Sequence, residues 1–353
     1  MTAGTESSLP ELDVALLTGF GFSCRPDCGL CCFTSPRLDP SDEARLLGSV
    51  PNARIVDVGN ERCIGSRAEG GACQFLTGLR CTVHGVRPAP CREFPVIVHI
   101  GTRLQANLVL SCPGLRLDGL LPRRSGKKAP PASDFESELS SVRSRLTPAV
   151  ARRRQEAERR RRRVERELES QGRWVEEDRV RQLLAGRQLL PRPEEYLPED
   201  PPPVEDGLER LPMYFDSRAG PVALAQGLGG WEGLELAAEG GSVSIGVAVP
   251  PATPPELDPE GERLLEGYLR YWLLRDCFFS AIHLEMLSTD EGDVEDGALD
   301  GLRLIASNVL ARGAVRAKLR GALGARLTRV EVELGIRATD QDWLDRPTWG
   351  SRL

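Results

Sequence analysis

The sequence has no run of about 18 consecutive apolar residues, so no segment reads as a membrane-spanning helix. The opening "MTAGTESSLPELD" lacks a basic stretch followed by an apolar one, which argues against a secretory signal. The expected compartment is therefore the cytoplasm, where thiols stay reduced. Lysine is nearly missing: Lys127, Lys128 and Lys318 are the whole supply, and the rest of the basic charge is arginine. Histidine is limited to His84, His99 and His283. No Ser-His-Asp set, HExxH or P-loop pattern occurs, so histidine acid–base catalysis and phosphate-loop chemistry have little support. The net charge of −6 over 353 residues excludes polyanion binding by the molecule as a whole.

Cysteine is what the chain does have. Nine of ten precede residue 113, and "CRPDCGLCC" alone supplies Cys24, Cys28, Cys31 and Cys32. The stretch "CQFLTGLRCTVHGVRPAPCREFPV" adds Cys73, Cys81 and Cys91, and "SCPGL" adds Cys112. Reduced thiols argue against disulfides. The flanking Arg25, Pro26, Asp27 and Gly29 are turn residues rather than packing residues. Thiolates are soft, charged donors that suit zinc and iron–sulfur clusters, and short spacings let one loop offer several sulfurs to one centre. The reading is metal ligation by Cys24, Cys28, Cys31, Cys32, Cys73, Cys81, Cys91 and Cys112. The cofactor is zinc or an iron–sulfur cluster, and the tight C-x3-C-x2-C loop suits a [4Fe–4S] cubane.

Eight thiols allow two four-thiolate sites, or one cluster with spare thiols. In an extended backbone the adjacent Cys31 and Cys32 would face opposite ways and serve different sites, or leave one a bystander. Cys63 reads as peripheral and Cys277 as a small core residue. Arg87 and Arg92 alternate with the downstream cysteines. Their guanidinium groups either offset the negative charge of a thiolate site or are solvated.

The runs "FSCRPDCGLCCF", "CQFLTGLRCTVHGVRPAPCREFP" and "SCPGL" resemble the YkgJ-like cysteine-cluster family, also called CxxCxxCC, over roughly residues 20–115. Matched positions are the eight cysteines with Arg87, Pro88, Arg92 and Pro95. The resemblance implies zinc or iron chelation with no settled reaction. His84 departs from it, because an aromatic is common there, and is read as a packing residue rather than a ligand. A related group, the flagellin lysine N-methylases, joins a similar cluster to methyl transfer from S-adenosylmethionine, though with different cysteine spacing.

The expected fold class is α+β. Residues 1–120 form a small cysteine-rich domain stapled by metal. "LDPSDEARLLGSV" is its helix, capped near Asp39 or Ser41. "ARIVDVG" is a strand, and "FPVIVHIG" pairs with "LQANLVLSC". Residues 133–190 form an arginine-rich helical arm, with Thr147-Pro148 at a helix start and Glu156/Arg160 and Glu158/Arg162 as i,i+4 pairs. Residues 191–212 carry seven prolines and form a stiff linker or a wrapping segment. Residues 213–353 form an α-rich domain. It has a β-hairpin turning at Gly240-Gly241, a buried helix over "DPEGERLLEGYLRYWLLRDCFFSAIHLEML" capped by Asp258, and one or two further helices.

Three other readings compete. C-x3-C-x2-C is also the radical S-adenosylmethionine spacing, but no repeated βα units follow, and Leu30 stands where an aromatic is usual. Residues 121–190 hold 19 Lys/Arg against 11 Asp/Glu, so Arg152–Arg163 could offer a nucleic-acid or protein-binding face. No aromatics interleave there, and a solvated helix packed on the acidic remainder explains the run as well. "QGLGGWEG" is a lone glycine cluster, a weak nucleotide signal. His283, on the buried helix, reads as a core histidine.

Overall fold

The computed structural model describes residues 11–352 apart from 26, 34–35, 59–60, 68–70, 122–131, 207–209, 290–291, 323–325, 345, 347 and 349–350. Thr147 stands in extended backbone before Pro148 at the expected helix start, and its side chain makes no capping hydrogen bond.

The first part contains strands β1 (Leu12–Asp13) and β2 (Gly21–Phe22), then helix α1 (Pro40–Ser49). Asp39 caps α1 by accepting from the Asp42 amide at 2.7 Å. Two hairpins follow: β3 (Ile55–Val58) with β4 (Glu61–Ile64), and β5 (Leu76–Thr77) with β6 (Arg80–Cys81). The short helix α2 (Ala89–Glu93) leads into β7 (Val96–Ile100), which pairs antiparallel with β8 (Leu104–Leu108) as the sequence predicts. β9 (Leu115–Arg116) returns to pair with β2.

The arm is α3 (Glu136–Ser144), α4 (Pro148–Ser170) and α5 (Glu177–Leu184). Helix α4 buries Val150, Ala157, Val164 and Leu168, a stripe at helical spacing, and keeps most of its arginines outside. The proline-rich segment wraps. Its Leu197 and Glu199 amides donate to Ser307 Oγ and Asn308 Oδ1, and Asp200 accepts from Trp231 Nε1.

The expected β-hairpin is half of a larger sheet. Four antiparallel strands run β10 (Met213–Asp216), β11 (Gly220–Gly227), β12 (Gly230–Leu236) and β13 (Ser242–Ala248). Gly240 and Gly241 make the predicted turn with positive φ. The "QGLGG" cluster is the β11–β12 turn, not a nucleotide loop. Next, β14 (Glu256–Leu257) leads to α6 (Pro259–Trp272), capped by Asp258 on the Gly261 amide at 2.6 Å.

The single buried helix expected after Asp258 is two: α6, and α7 (Asp276–Met286). The break falls at Arg275, which adopts extended backbone and buries its side chain completely. It donates to Asp340 and to the Leu108 carbonyl, while the Asp276 amide donates to Gln105. A continuous helix could not turn these groups onto β8. Helix α8 (Val294–Leu319) is one helix, and β15 (Arg326–Leu327) pairs with β14. Helix α9 (Arg329–Leu344) escapes a sequence reading because its Val-Glu-Val-Glu-Leu start alternates like a strand.

β16 (Ser351–Arg352) completes a sheet of order β1-β8-β7-β16, so first-part strands pair with the last. One hydrophobic core runs from Leu16 to Leu344 and includes Cys112. Among the described residues no helix is long and apolar enough to cross a membrane.

Candidate metal centre

Four segments bring the predicted thiols together. The first is the Cys24–Cys32 loop. Gly29 has φ +58, which an L side chain rarely adopts, and a Cβ there would press on Leu76 at 3.2 Å. This turn starts a 3₁₀ segment, Leu30–Phe33, with the Cys32 amide on the Gly29 carbonyl at 2.9 Å. Cys31 and Cys32 therefore do not stand on an extended backbone facing opposite ways. A 3₁₀ turn rotates roughly 120° per residue, and their thiols hydrogen-bond to each other. Leu30, Phe33 and Cys28 pack with Met213 and Phe215 of β10, and the Arg25 guanidinium lies 4.8 Å from the Phe215 ring centroid.

The second segment carries Cys73 and Cys81. The Cys73 amide donates to the Cys32 carbonyl at 2.7 Å, Leu76 donates back to Cys73, and Leu76 pairs with Cys81 across β5–β6. The third is α2, which carries Cys91. Buried Asp42 holds its start, accepting from the Ala89 amide at 2.7 Å. The fourth is the Cys112 turn. Its neighbour Gly114 accepts from the Ser23 amide at 3.0 Å, next to Cys24. Arg337 of α9 donates to the carbonyls of Leu110, Cys112 and Leu115.

The electrostatics centre on Cys31. The hydrogen bond from Cys32 holds its thiol below the ordinary range against the cost of burial, and Arg87 adds to the effect. Cys32, as donor, is pushed far up. Burial raises Cys28 and Cys73 to about 11 and Cys112 to about 12, and also raises Cys24, Cys81 and Cys91. One favoured thiolate among reluctant thiols suits a cation that would displace the other protons. Cys24, Cys28, Cys31, Cys32 and Cys81 line a cleft of about 650 Å³, with Arg87 on its wall. All ten cysteines are thiols rather than disulfides. Among the described residues no three His, Cys, Asp or Glu side chains stand in a metal-holding arrangement, so ligation requires the thiols to turn inward. The donors fit zinc or an iron–sulfur cluster in number and chemistry.

The two arginines divide. Arg87 faces the thiols, adding to the fall at Cys31 and partly offsetting the rise at Cys24, Cys81 and Cys91. Arg92 turns to Asp42, 3.7 Å away, and to the Arg87 carbonyl. Asp42 was readable in the sequence only as a first-turn acid of α1, and Arg337 carried no sequence signal. His84 does not pack inside: it is exposed and lines the cleft beside Arg87. Cys63 is buried in β4, among the charges of Glu61, Arg37 and Asp57 rather than other thiols. Cys277 is buried in α7, as predicted, and His283 stacks on Trp174 with ring centroids 4.4 Å apart.

Residues 23–112, about a quarter of the chain, match the CxxCxxCC family, described as a "putative zinc- or iron-chelating domain". The match supports metal binding by this stretch. No curated protein and no solved structure matches the chain.

Proposed function

We propose that the chain is a metal-binding protein whose Cys24, Cys28, Cys31, Cys32, Cys73, Cys81, Cys91 and Cys112 ligate zinc or an iron–sulfur cluster, in redox or chelating service. The observation that carries this reading is the gathering of four separate cysteine segments around Cys31, the thiol whose ionised form is favoured. Arg87 offsets the negative charge that bound thiolates would bring. Bound metal would supply either a structural clamp or, as an iron–sulfur cluster, one-electron transfer. The chain's own part is to hold the donors on short turns braced by β10 and α9. Reduced thiols fit the cytoplasm.

The test is anaerobic purification followed by a visible spectrum and analysis for iron, sulfide and zinc. A brown protein with iron and sulfide in equal amounts assigns a cluster. A colourless protein holding zinc assigns a thiolate clamp. A reduced protein that holds neither metal, as purified or on reconstitution, overturns the reading.

A further inference from the structure

We propose that the eight thiols form two separate four-thiolate sites. One is Cys24, Cys28, Cys31 and Cys112, and the other is Cys32, Cys73, Cys81 and Cys91. The inference rests on the metal-binding reading above and divides its ligands.

The division follows the backbone. Strands β2 and β9 pair, and the Ser23 amide bonds the Gly114 carbonyl, which sets the Cys24–Cys28 loop against the Cys112 turn. On the other side, the Cys73 amide bonds the Cys32 carbonyl, and the β5–β6 hairpin brings Cys81 to the same place. Helix α2 adds Cys91, anchored through Asp42. The Leu30–Phe33 turn carries Cys31 and Cys32 on successive residues, and the bond from Cys73 to the Cys32 carbonyl assigns Cys32 to the second side and leaves Cys31 for the first.

Apart from Cys31, the neighbouring thiols that act on Cys28, Cys112, Cys32 and Cys91 divide the same way. The leading thiol influences on Cys112 are Cys31 and Cys28, and those on Cys28 are Cys31 and Cys24. Those on Cys91 are Cys31, Cys73 and Cys81, and those on Cys32 are Cys31, Cys73 and Cys81. Cys31 acts on thiols of both sides. It completes the first set, since the second already has four donors. Arg337 and Arg25 act on thiols of the first set, and Arg87 acts on thiols of both, Cys24 and Cys31 as well as Cys81 and Cys91. A four-thiolate site on a divalent ion carries excess negative charge, which these guanidiniums would reduce.

Cobalt(II) titration of the reduced, metal-free full chain tests the division, because thiolate–cobalt charge-transfer absorption reports each filled site. Exposed Cys24 and half-buried Cys81 are the positions of choice, with far-UV circular dichroism confirming the fold. The wild type is expected to take up two cobalt ions. Cys24→Ser/Cys28→Ser, within one set, retains one four-thiolate ion, and so does Cys73→Ser/Cys81→Ser. Cys24→Ser/Cys81→Ser, across the sets, retains none. Equal loss in within-set and across-set pairs overturns the division and favours one shared centre. A wild type that binds neither cobalt nor zinc overturns the metal-binding reading itself.

Discussion

Arg275 and Asp340 form a salt bridge of 2.8 Å with neither side chain exposed to solvent. Arg275 also donates to the Leu108 carbonyl at 2.7 Å and lies 4.0 Å from the Trp272 ring centroid. Asp340 accepts from the Leu110 amide at 2.7 Å and from the Tyr268 hydroxyl at 3.3 Å. The pair therefore ties the α6–α7 break and α9 to the end of β8, four residues before Cys112. Residues more than 160 positions downstream of Cys112 thus hold one wall of the candidate metal centre.

Asp340→Ala leaves a guanidinium buried without its counter-charge. The expected loss is about 3–5 kcal/mol of stability, the usual cost of breaking a buried pair from one side. Urea unfolding measures it. Arg162→Ala, which removes an exposed i,i+4 partner of Glu158, is expected to cost no more than about 0.5 kcal/mol. Equal losses in the two variants would refute this account of the pair.

Cys28→Ser and Cys91→Ser are each expected to lower metal content and to destabilise the first part of the chain, because ligand binding energy is also folding energy. Cys277→Ala and Cys63→Ala, which lie outside the thiol gathering, should keep the wild-type metal content. Elemental analysis and thermal melts of the four variants compare them directly. Metal loss in all four would sink the assignment.

Much of this was legible before the structure. The cysteine runs, the turn residues around them, the β7–β8 pair and the Asp39 and Asp258 caps are local signals, carried within a few residues. What was not legible depends on distant partners. Nothing near Arg275 announces a helix break, because the break is stabilised by Asp340 and the Leu108 carbonyl. The alternation at the start of α9 points to a strand until α8 is there to pack against it. The relation of Cys31 to Cys32 turned on a 3₁₀ geometry set by Gly29 against Leu76, a contact between separate loops.

Arg87 and Arg92 should separate cleanly when changed. Arg87→Gln removes the cation that favours the thiolates of Cys24, Cys31, Cys81 and Cys91, so metal affinity should fall about 10-fold or more. Chelator competition reads this effect. Arg92→Gln loosens the contact with buried Asp42 and should cost roughly 0.5–1 kcal/mol of stability while affinity stays within about 2-fold. The reverse pattern would mean that Arg92, not Arg87, serves the centre.

Two buried histidines predict the acid side of the stability profile. Burial lowers His99 to about 4 and His283 to about 3, from an ordinary 6.5. The unfolded chain therefore takes up these protons first as pH falls. Their contribution is complete above about pH 6.5 and is lost toward pH 4, by about 1.4 kcal/mol per pH unit for each histidine. His283→Phe keeps the stack on Trp174 and removes one titration. Urea unfolding from pH 7.5 to 4 should then show a shallower slope in the variant by that amount. An unchanged slope would mean that His283 takes up its proton equally in both states.

The arginine run of α4 is not uniform, and its members should not behave alike. Arg161 turns inward, 5.5 Å from the Trp174 ring centroid and 3.7 Å from both Glu176 and Glu177. It thereby fastens α4 to the start of α5. Arg159, Arg160 and Arg163 are exposed. Arg161→Ala is expected to cost about 1–2 kcal/mol, from a lost cation–π contact and two partly shielded charge contacts. Arg159→Ala, Arg160→Ala and Arg163→Ala should each stay within about 0.5 kcal/mol. Salt separates the causes further: raising ionic strength screens the contacts with Glu176 and Glu177 but leaves the ring contact largely intact, so the Arg161 effect should shrink without vanishing. If the exposed three cost as much as Arg161, the run is a structural network along its whole length, not a solvated face with one anchor.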